Sequence, residues 1–297
     1  MNQAKSKKKS LNEKITFSLL DFGLRSIDYA ITADRLGFKR IWLTEHHVSD
    51  SIAAWYNPMM LLPILAGMTE KIIVGIAGTQ LAIHNQYHTA VNYKLLANLF
   101  PNRIDLGIAA GSPEDNIKDY LPTEKYSFKE KRQQLVHLLR HENELAENKR
   151  LLIPPYKGFI PNIWFLSSNY DTLEDVVRYK VCFSRSLFHG WNLDQHKEEL
   201  EAFRLAYYKQ HEIYPNITLA VAGCVHHSDS KAKQIAEQAN YKGISRINII
   251  GCAQRFKDTI LKYQEEFGFN EFTFLNVARK PEDRNIALSL IQKSFNF

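Results

Sequence analysis

Short β-rich runs alternate with helical segments along nearly the whole of this 297-residue chain. The β-rich runs are ITFSLL (15–20), RIWLTE (40–45), IIVGIAG (72–78), RIDLGIAAG (103–111), NIWFLSS (162–168), VCFSRS (181–186), ITLAVAGCVH (217–226) and EFTFLNV (271–277). Helical spacing fills 26–37, 57–69, 87–99, 128–147, 171–179, 194–211, 229–240 and 253–266, and a last helix closes the chain. Such alternation predicts an α/β fold with a parallel sheet. The runs are almost continuously apolar, as in strands covered on both faces. Eight strands fit a closed (β/α)8 TIM barrel and leave RINIIG (246–251) as an extra piece of undecided type. An open doubly wound sheet is the alternative. The barrel is favoured because no GxGxxG follows the first strand and the chain has no P-loop. Pro63 is expected to kink the 57–69 helix or start it late.

Charge divides the chain unevenly. The formal net charge is +6, of which +4 sits in residues 1–14 and +2 in the remainder. Residues 1–14 therefore read as a disordered basic tail, and residues 15–297 as a single domain with no broad nucleic-acid face. LLIPPYKGFIPN (151–162) reads as a βα insertion, not a linker. No secretory cleavage pattern or membrane-spanning run is present. Cys182, Cys224 and Cys252 are odd in number and far apart, which fits a reducing cytoplasm.

A barrel places its active site at the carboxyl ends of the strands. There the sequence offers Asp21, Glu45-His46-His47, Ser167-Ser168-Asn169, Arg185 and His226-His227, with small residues at Ala77-Gly78 and Ala109-Ala110-Gly111. Polar groups and small residues around one mouth suit a flat ligand. Histidine titrates near neutrality and suits acid–base work. Neighbours on extended backbone face opposite ways. One residue of Glu45-His46-His47 can therefore face the cavity while the others hold it. A helix starting near Asp171 would put free N–H groups beside Ser167 and Ser168, a seat for phosphate or plain N-capping. His84 and His88 are four apart, on one face if helical, but HExxH and CxxC are both lacking. No metal centre is expected.

FSLLDFG, LGFKRIWLTEHH, NPMMLLPILAGMTEKIIVGIAGTQLAIHNQ and NLFPNRIDLGIAAG together resemble the bacterial-luciferase-like flavin oxidoreductases. NIWFLSSN, AVAGCVHHSDSKAKQIAE and IIGCAQRFKDTILKYQEEFGFNEFTF agree more loosely. The resemblance implies a TIM barrel that binds reduced FMN at its mouth. It makes His46 the catalytic residue, with Glu45 and His47 supporting it. It implies a non-proline cis peptide at Ala77–Gly78 under the flavin, and a phosphate turn at Ser167, Ser168 and Asn169. Many members carry arginine where this chain has Ala110, which should weaken the phosphate contact; Lys129, Lys131, Arg132 or Arg185 are the candidate substitutes. The chain is also shorter than luciferase subunits between strands four and five, which implies a more open substrate cleft.

The expected function is that of an FMN-dependent monooxygenase. It would use reduced FMN as co-substrate, a separate flavin reductase and oxygen to oxygenate a small organic molecule. The expected protein is cytoplasmic and a homodimer through its early helices, with no nucleic-acid or membrane partner. Two further readings keep the fold: hydride transfer with a deazaflavin, admitted by a mobile 112–127 segment, and a non-catalytic flavin-binding relative, supported by Ala110. A metal-dependent hydrolase is the remaining class.

Overall fold

The structure is a computed structural model that describes residues 14–21, 26–47, 57–111, 114–121, 125–189, 197–239 and 244–297. Residues 1–13, which carry nearly all of the basic tail, lie outside the described residues, as do parts of 112–127. Among the described residues nine strands form: β1 Thr16–Asp21, β2 Arg40–Leu43, β3 Ile73–Gln80, β4 Ile104–Ala109, β5 Asn162–Ser167, β6 Cys182–Ser186, β7 Ile217–His226, β8 Ile249–Cys252 and β9 Glu271–Asn276. Every pairing among them is parallel. Eight of them close a ring in the order β1 through β7, then β9, then back to β1. The doubly wound alternative is thereby excluded. RINIIG supplies β8, which pairs with Gly223–His226 of β7 outside that ring.

The helices are α1 Ser26–Arg35, α2 Leu62–Met68, α3 Gln86–Leu99, α4 Asp115–Lys118, α5 Phe128–Arg140, α6 Glu142–Lys149, α7 Leu173–Tyr179, α8 Lys197–His211, α9 Asp229–Glu237, α10 Ala253–Phe267 and α11 Pro281–Phe295. Two expectations are refined. The 57–69 helix is a 3-10 turn at Pro58–Met60 followed by α2, with Pro63 in the first turn, where its missing N–H costs nothing. The single charged helix at 128–147 is two helices. His141 leaves helical geometry at φ −113°, ψ 45°, ending α5 and opening α6.

Alternation along each strand divides two buried layers. Phe17, Leu19, Ile41, Leu43, Phe272 and Phe274 join the cluster that packs on the helices. Leu20, Trp42, Trp164, Ala220, Ala222 and Leu275 join a second cluster inside the ring. The amino-terminal end of the barrel interior is polar. Arg40 Nη1 donates to Asp105 Oδ2 at 2.9 Å, and Arg40 Nε lies 3.1 Å from Glu271 Oε1. Ser18 Oγ donates to Glu271, Trp164 Nε1 donates to Asp105 at 3.0 Å, and Asn162 Nδ2 donates to the other Asp105 oxygen. Above this layer Trp42 and Trp164 meet edge to face at 5.8 Å, and the Arg40 guanidinium stacks on Trp164 at 4.5 Å. Gly75 makes the room. A Cβ there would lie 2.6 Å from both the Trp42 ring and the Asp105 carbonyl oxygen.

Asp105 holds three donors from β2 and β5, so its loss takes one carboxylate partner from the buried Arg40 guanidinium and leaves two further donors unpaired. Asp105→Ala is expected to lower unfolding free energy by about 3–5 kcal/mol, measured by urea denaturation.

Candidate active site at the barrel mouth

The mouth is organised by Glu45, at the end of β2. Its carboxylate is buried and accepts from the Gln80 backbone N–H at 2.9 Å. His47 Nε2 lies 3.0 Å and His84 Nε2 2.5 Å from the same Glu45 oxygen, Oε1. In return the Gln80 amide donates to the Glu45 carbonyl oxygen at 2.6 Å. Glu45 is bonded to Gln80 at the end of β3, and His47, two residues on, is bonded to Glu45. His46, between them, is exposed. Continued strand alternation from Arg40, Trp42 and Thr44 would put the His46 imidazole on the barrel side.

The electrostatics follow from this division. Burial of Glu45 raises its pKa, but the hydrogen bond and charge of His84, then His47 and the Gln80 N–H, overcome that and hold it below the usual carboxylate value. His46 is exposed to solvent on the mouth, yet enough protein surrounds it that desolvation lowers its pKa. Glu45 opposes that shift, while His47 and His189 reinforce it by like charge. The shift favours the neutral imidazole, the form that can accept a proton.

Small residues line the neighbouring sector. The Ala77–Gly78 peptide is cis, in β3, where the register with β4 slips between Ile76 and Thr79. A Cβ on Gly78 would lie 2.8 Å from Leu166 and 2.9 Å from Ala109, so only glycine lets β3 and β4 approach here. Ala77, Ala109, Leu166, Ser167 and Ser168 are partly exposed, and Ala110 is exposed. The buried hydroxyl oxygens of Thr44 and Ser186 make no hydrogen bond among the described residues. Low relief beside unsatisfied hydroxyls fits a flat ring system with polar edges. Beyond β5, Ser167 Oγ donates to Asn169 Oδ1 at 2.8 Å and accepts from the Asn169 N–H at 3.1 Å. Asn169 Oδ1 also accepts from the Asp171 N–H, and Asn169 Nδ2 donates to Asp171. This turn is closed on itself ahead of α7.

Several strand-end groups are engaged with the helices that surround the barrel. Asp21 accepts from Ser26 and pairs with Arg284 of α11, between barrel and helices. Arg185 is buried in the helical layer over the Tyr170 ring and donates to the Ser186 carbonyl oxygen. His226 lies 3.5 Å from Asp283 of α11. His84 and His88 do not share a helix face, because α3 is capped by Asn85, and His84 precedes that cap. Of the candidate replacement cations, Arg132 pairs with Asp175 and stacks on Phe165, Lys131 donates to the Leu81 carbonyl oxygen, and Lys129 is exposed. Burial pushes the Cys182 thiol, on the barrel side of β6, up to about 12, so it is no nucleophile.

Sequence reasoning missed His84 as the partner of Glu45. It also missed Thr44, Gln80 and His189. His189 follows β6 in LFHG and packs on Phe188 at 4.7 Å. The Phe188 carbonyl oxygen takes the N–H groups of Ser245 and Arg246, which brings 244–248 over that strand end. Strand-end position was the available signal for His189.

A family model described as luciferase-like monooxygenase matches residues 24–273. The chain belongs to the luciferase-like monooxygenase family. N-acetyl-S-alkylcysteine monooxygenase of Bacillus subtilis is 28% identical over 184 residues, 60% of this chain and 55% of that protein. The matched region spans about half the length of the first curated relatives, 46% and 55%. Among solved structures, apo-MsnO8 superposes with a TM-score of 0.80 at 21% identity, covering 95% of this chain and 98% of that one. The FMN complex of the oxygenating constituent of 3,6-diketocamphane monooxygenase from Pseudomonas putida superposes with a TM-score of 0.73 at 15% identity, covering 95% and 98%. These structures share the barrel fold. No helix among the described residues is long and apolar enough to cross a membrane.

Glu45 provides a pH-dependent test. A depressed folded pKa contributes stability that is present above the unfolded value, near 4.5, and lost as pH falls through the folded pKa. Glu45→Gln is expected to cost about 1–3 kcal/mol at pH 7. The difference from wild type should shrink as pH falls below 4.5, measured by denaturant melts across pH.

Proposed function

We propose that this protein is a flavin-dependent monooxygenase of small organic substrates, using reduced FMN delivered by a separate reductase. The observation that supports the reading is the clamp on Glu45, which accepts from the Gln80 N–H at the end of β3 and meets His47 and His84, and leaves His46 exposed beside it. Bound reduced flavin would supply the two electrons that let one oxygen atom enter the substrate and the other leave as water. Ala77, Gly78 and Ala109 would form the floor beneath the ring. Thr44 and Ser186 would offer hydroxyls to its polar edge, and Ser167, Ser168 and Asn169 would receive the phosphate. His46 Nε2 or Nδ1 would accept and return one proton. The side chains around it would exclude water from the reacting atoms.

Two further features fill out the proposal. Met60, Ile64 and Met68, on the 3-10 turn and α2, are 67%, 43% and 54% exposed, and Leu95 and Leu99 of α3 are 49% and 61% exposed. Apolar surface of this extent supports a homodimer through the early helices. Ala110 brings no charge to the phosphate end. Ala110→Arg is expected to tighten FMN binding about tenfold while leaving riboflavin binding unchanged.

Anaerobic titration with reduced FMN and with a reduced deazaflavin, side by side, tests the cofactor. Saturable binding of FMN is expected, and preference for the deazaflavin would favour hydride transfer instead. His46→Ala should bind FMN within about threefold of wild type yet lose about 10²-fold or more in oxygen transfer. An unchanged transfer rate would remove His46 from the chemistry.

A further inference from the structure

Away from the mouth, the corner between α5 and α6 gathers a second set of ligand-type side chains. His137 stands in the last turn of α5, His141 is the residue shared by both helix ends, and Glu144 follows in the first turn of α6. The break at His141 brings them together. One continuous helix would carry Glu144 seven residues past His137, two turns along the axis. The bend folds it back instead. His137 Nε2 lies 3.9 Å from Glu144 Oε1, and His141 Nδ1 lies 3.6 Å from Glu144 Oε2. The two imidazoles stack at 4.7 Å with 21° between their planes.

These separations exceed hydrogen-bonding distance, so hydrogen bonds do not hold the three groups in place. They approach a different requirement. Ligand atoms on one tetrahedral zinc ion, each about 2.0–2.1 Å from it, lie about 3.3–3.5 Å apart. Here one ligand atom from each of the three residues falls within 4.8 Å of the others. Closing the set takes side-chain rotation of an ångström or so, within reach of half-exposed rotamers. The corner also borders a surface cavity of about 550 Å³, lined further by Glu130, Gln133, Lys149 and Tyr179. A fourth coordination position would open onto it.

We propose that His137, His141 and Glu144 bind a borderline divalent transition-metal ion, zinc in the first instance. Two imidazoles and one carboxylate are a donor set for such ions, not for calcium or magnesium, which take oxygen ligands. The ion would pin α6 against the end of α5.

Zinc sulfate titrated into the untagged full chain against a chromophoric chelator tests this. Wild type should bind one equivalent per chain and melt at a higher temperature with zinc than without. His137→Ala and Glu144→Gln should each weaken binding roughly tenfold or more, as loss of a ligand should cost no less than loss of an outer partner. The double variant His137→Ala/His141→Ala should abolish both signals. All three side chains are surface groups, and Glu144→Gln keeps its shape, so the variants should match wild type in circular dichroism and in zinc-free melting. Absence of saturable zinc binding in wild type would overturn the proposal. Undiminished binding in the double variant would overturn it equally, by placing the ion elsewhere.

Discussion

The mouth of this barrel depends on one buried carboxylate. Glu45 alone would be costly to bury. It is tolerated because the Gln80 N–H, His47 and His84 supply donors from two directions. The return bond from the Gln80 side chain ties backbone to backbone across the ends of β2 and β3. Two consequences follow from that clamp. It fixes the polypeptide just beyond β2, on either side of His46. It also holds the end of β3, where the cis Ala77–Gly78 bond and the register slip lie. The segment that carries His46 and the small residues at the end of β3 are thus held by the same interaction.

Beneath the mouth, the barrel spends its charge on its own architecture. Arg40 and Lys39 pair with Asp105 and Glu271 at the amino-terminal end, and Trp42 and Trp164 seal the layer above them. Ionic chemistry is thereby separated from the carboxyl end, where the interior turns to alanine, glycine, leucine and hydroxyl side chains. A family member with a plugged base and a low-relief rim is equipped to receive a ligand from one side only. Family membership and the barrel fold rest on the matching family model and on superposition, whereas the reaction itself rests on the chemistry of this rim.

Much of the fold was legible because its signals are local. Strand–helix alternation, Pro58 and Pro63 near helix starts and the apolar RINIIG segment each act within a few residues. The resemblance singled out Ala77–Gly78, and that bond is cis in the structure. Directions were harder. Strands covered on both faces give no phase in the sequence, so Asp21 and Arg185 could not be sorted from residues of the mouth. Phe17 and Leu19 share the phase of Asp21, and Phe183 that of Arg185, yet inward and outward residues alike are apolar. Partners distant in sequence were invisible for the same reason. Nothing in HNQYH announces that His84 will meet Glu45, and Arg40 meets Glu271 only after the ring closes. The break at His141 has no glycine or proline to mark it.

A crystal structure of the protein soaked with FMN tests the central claim most directly. The account predicts an isoalloxazine ring lying against Ala77, Gly78 and Ala109, with the His46 imidazole on its near side and Glu45 still bonded to the Gln80 N–H. A ring seated elsewhere, or an imidazole turned out among the helices with the ring in place, would contradict it.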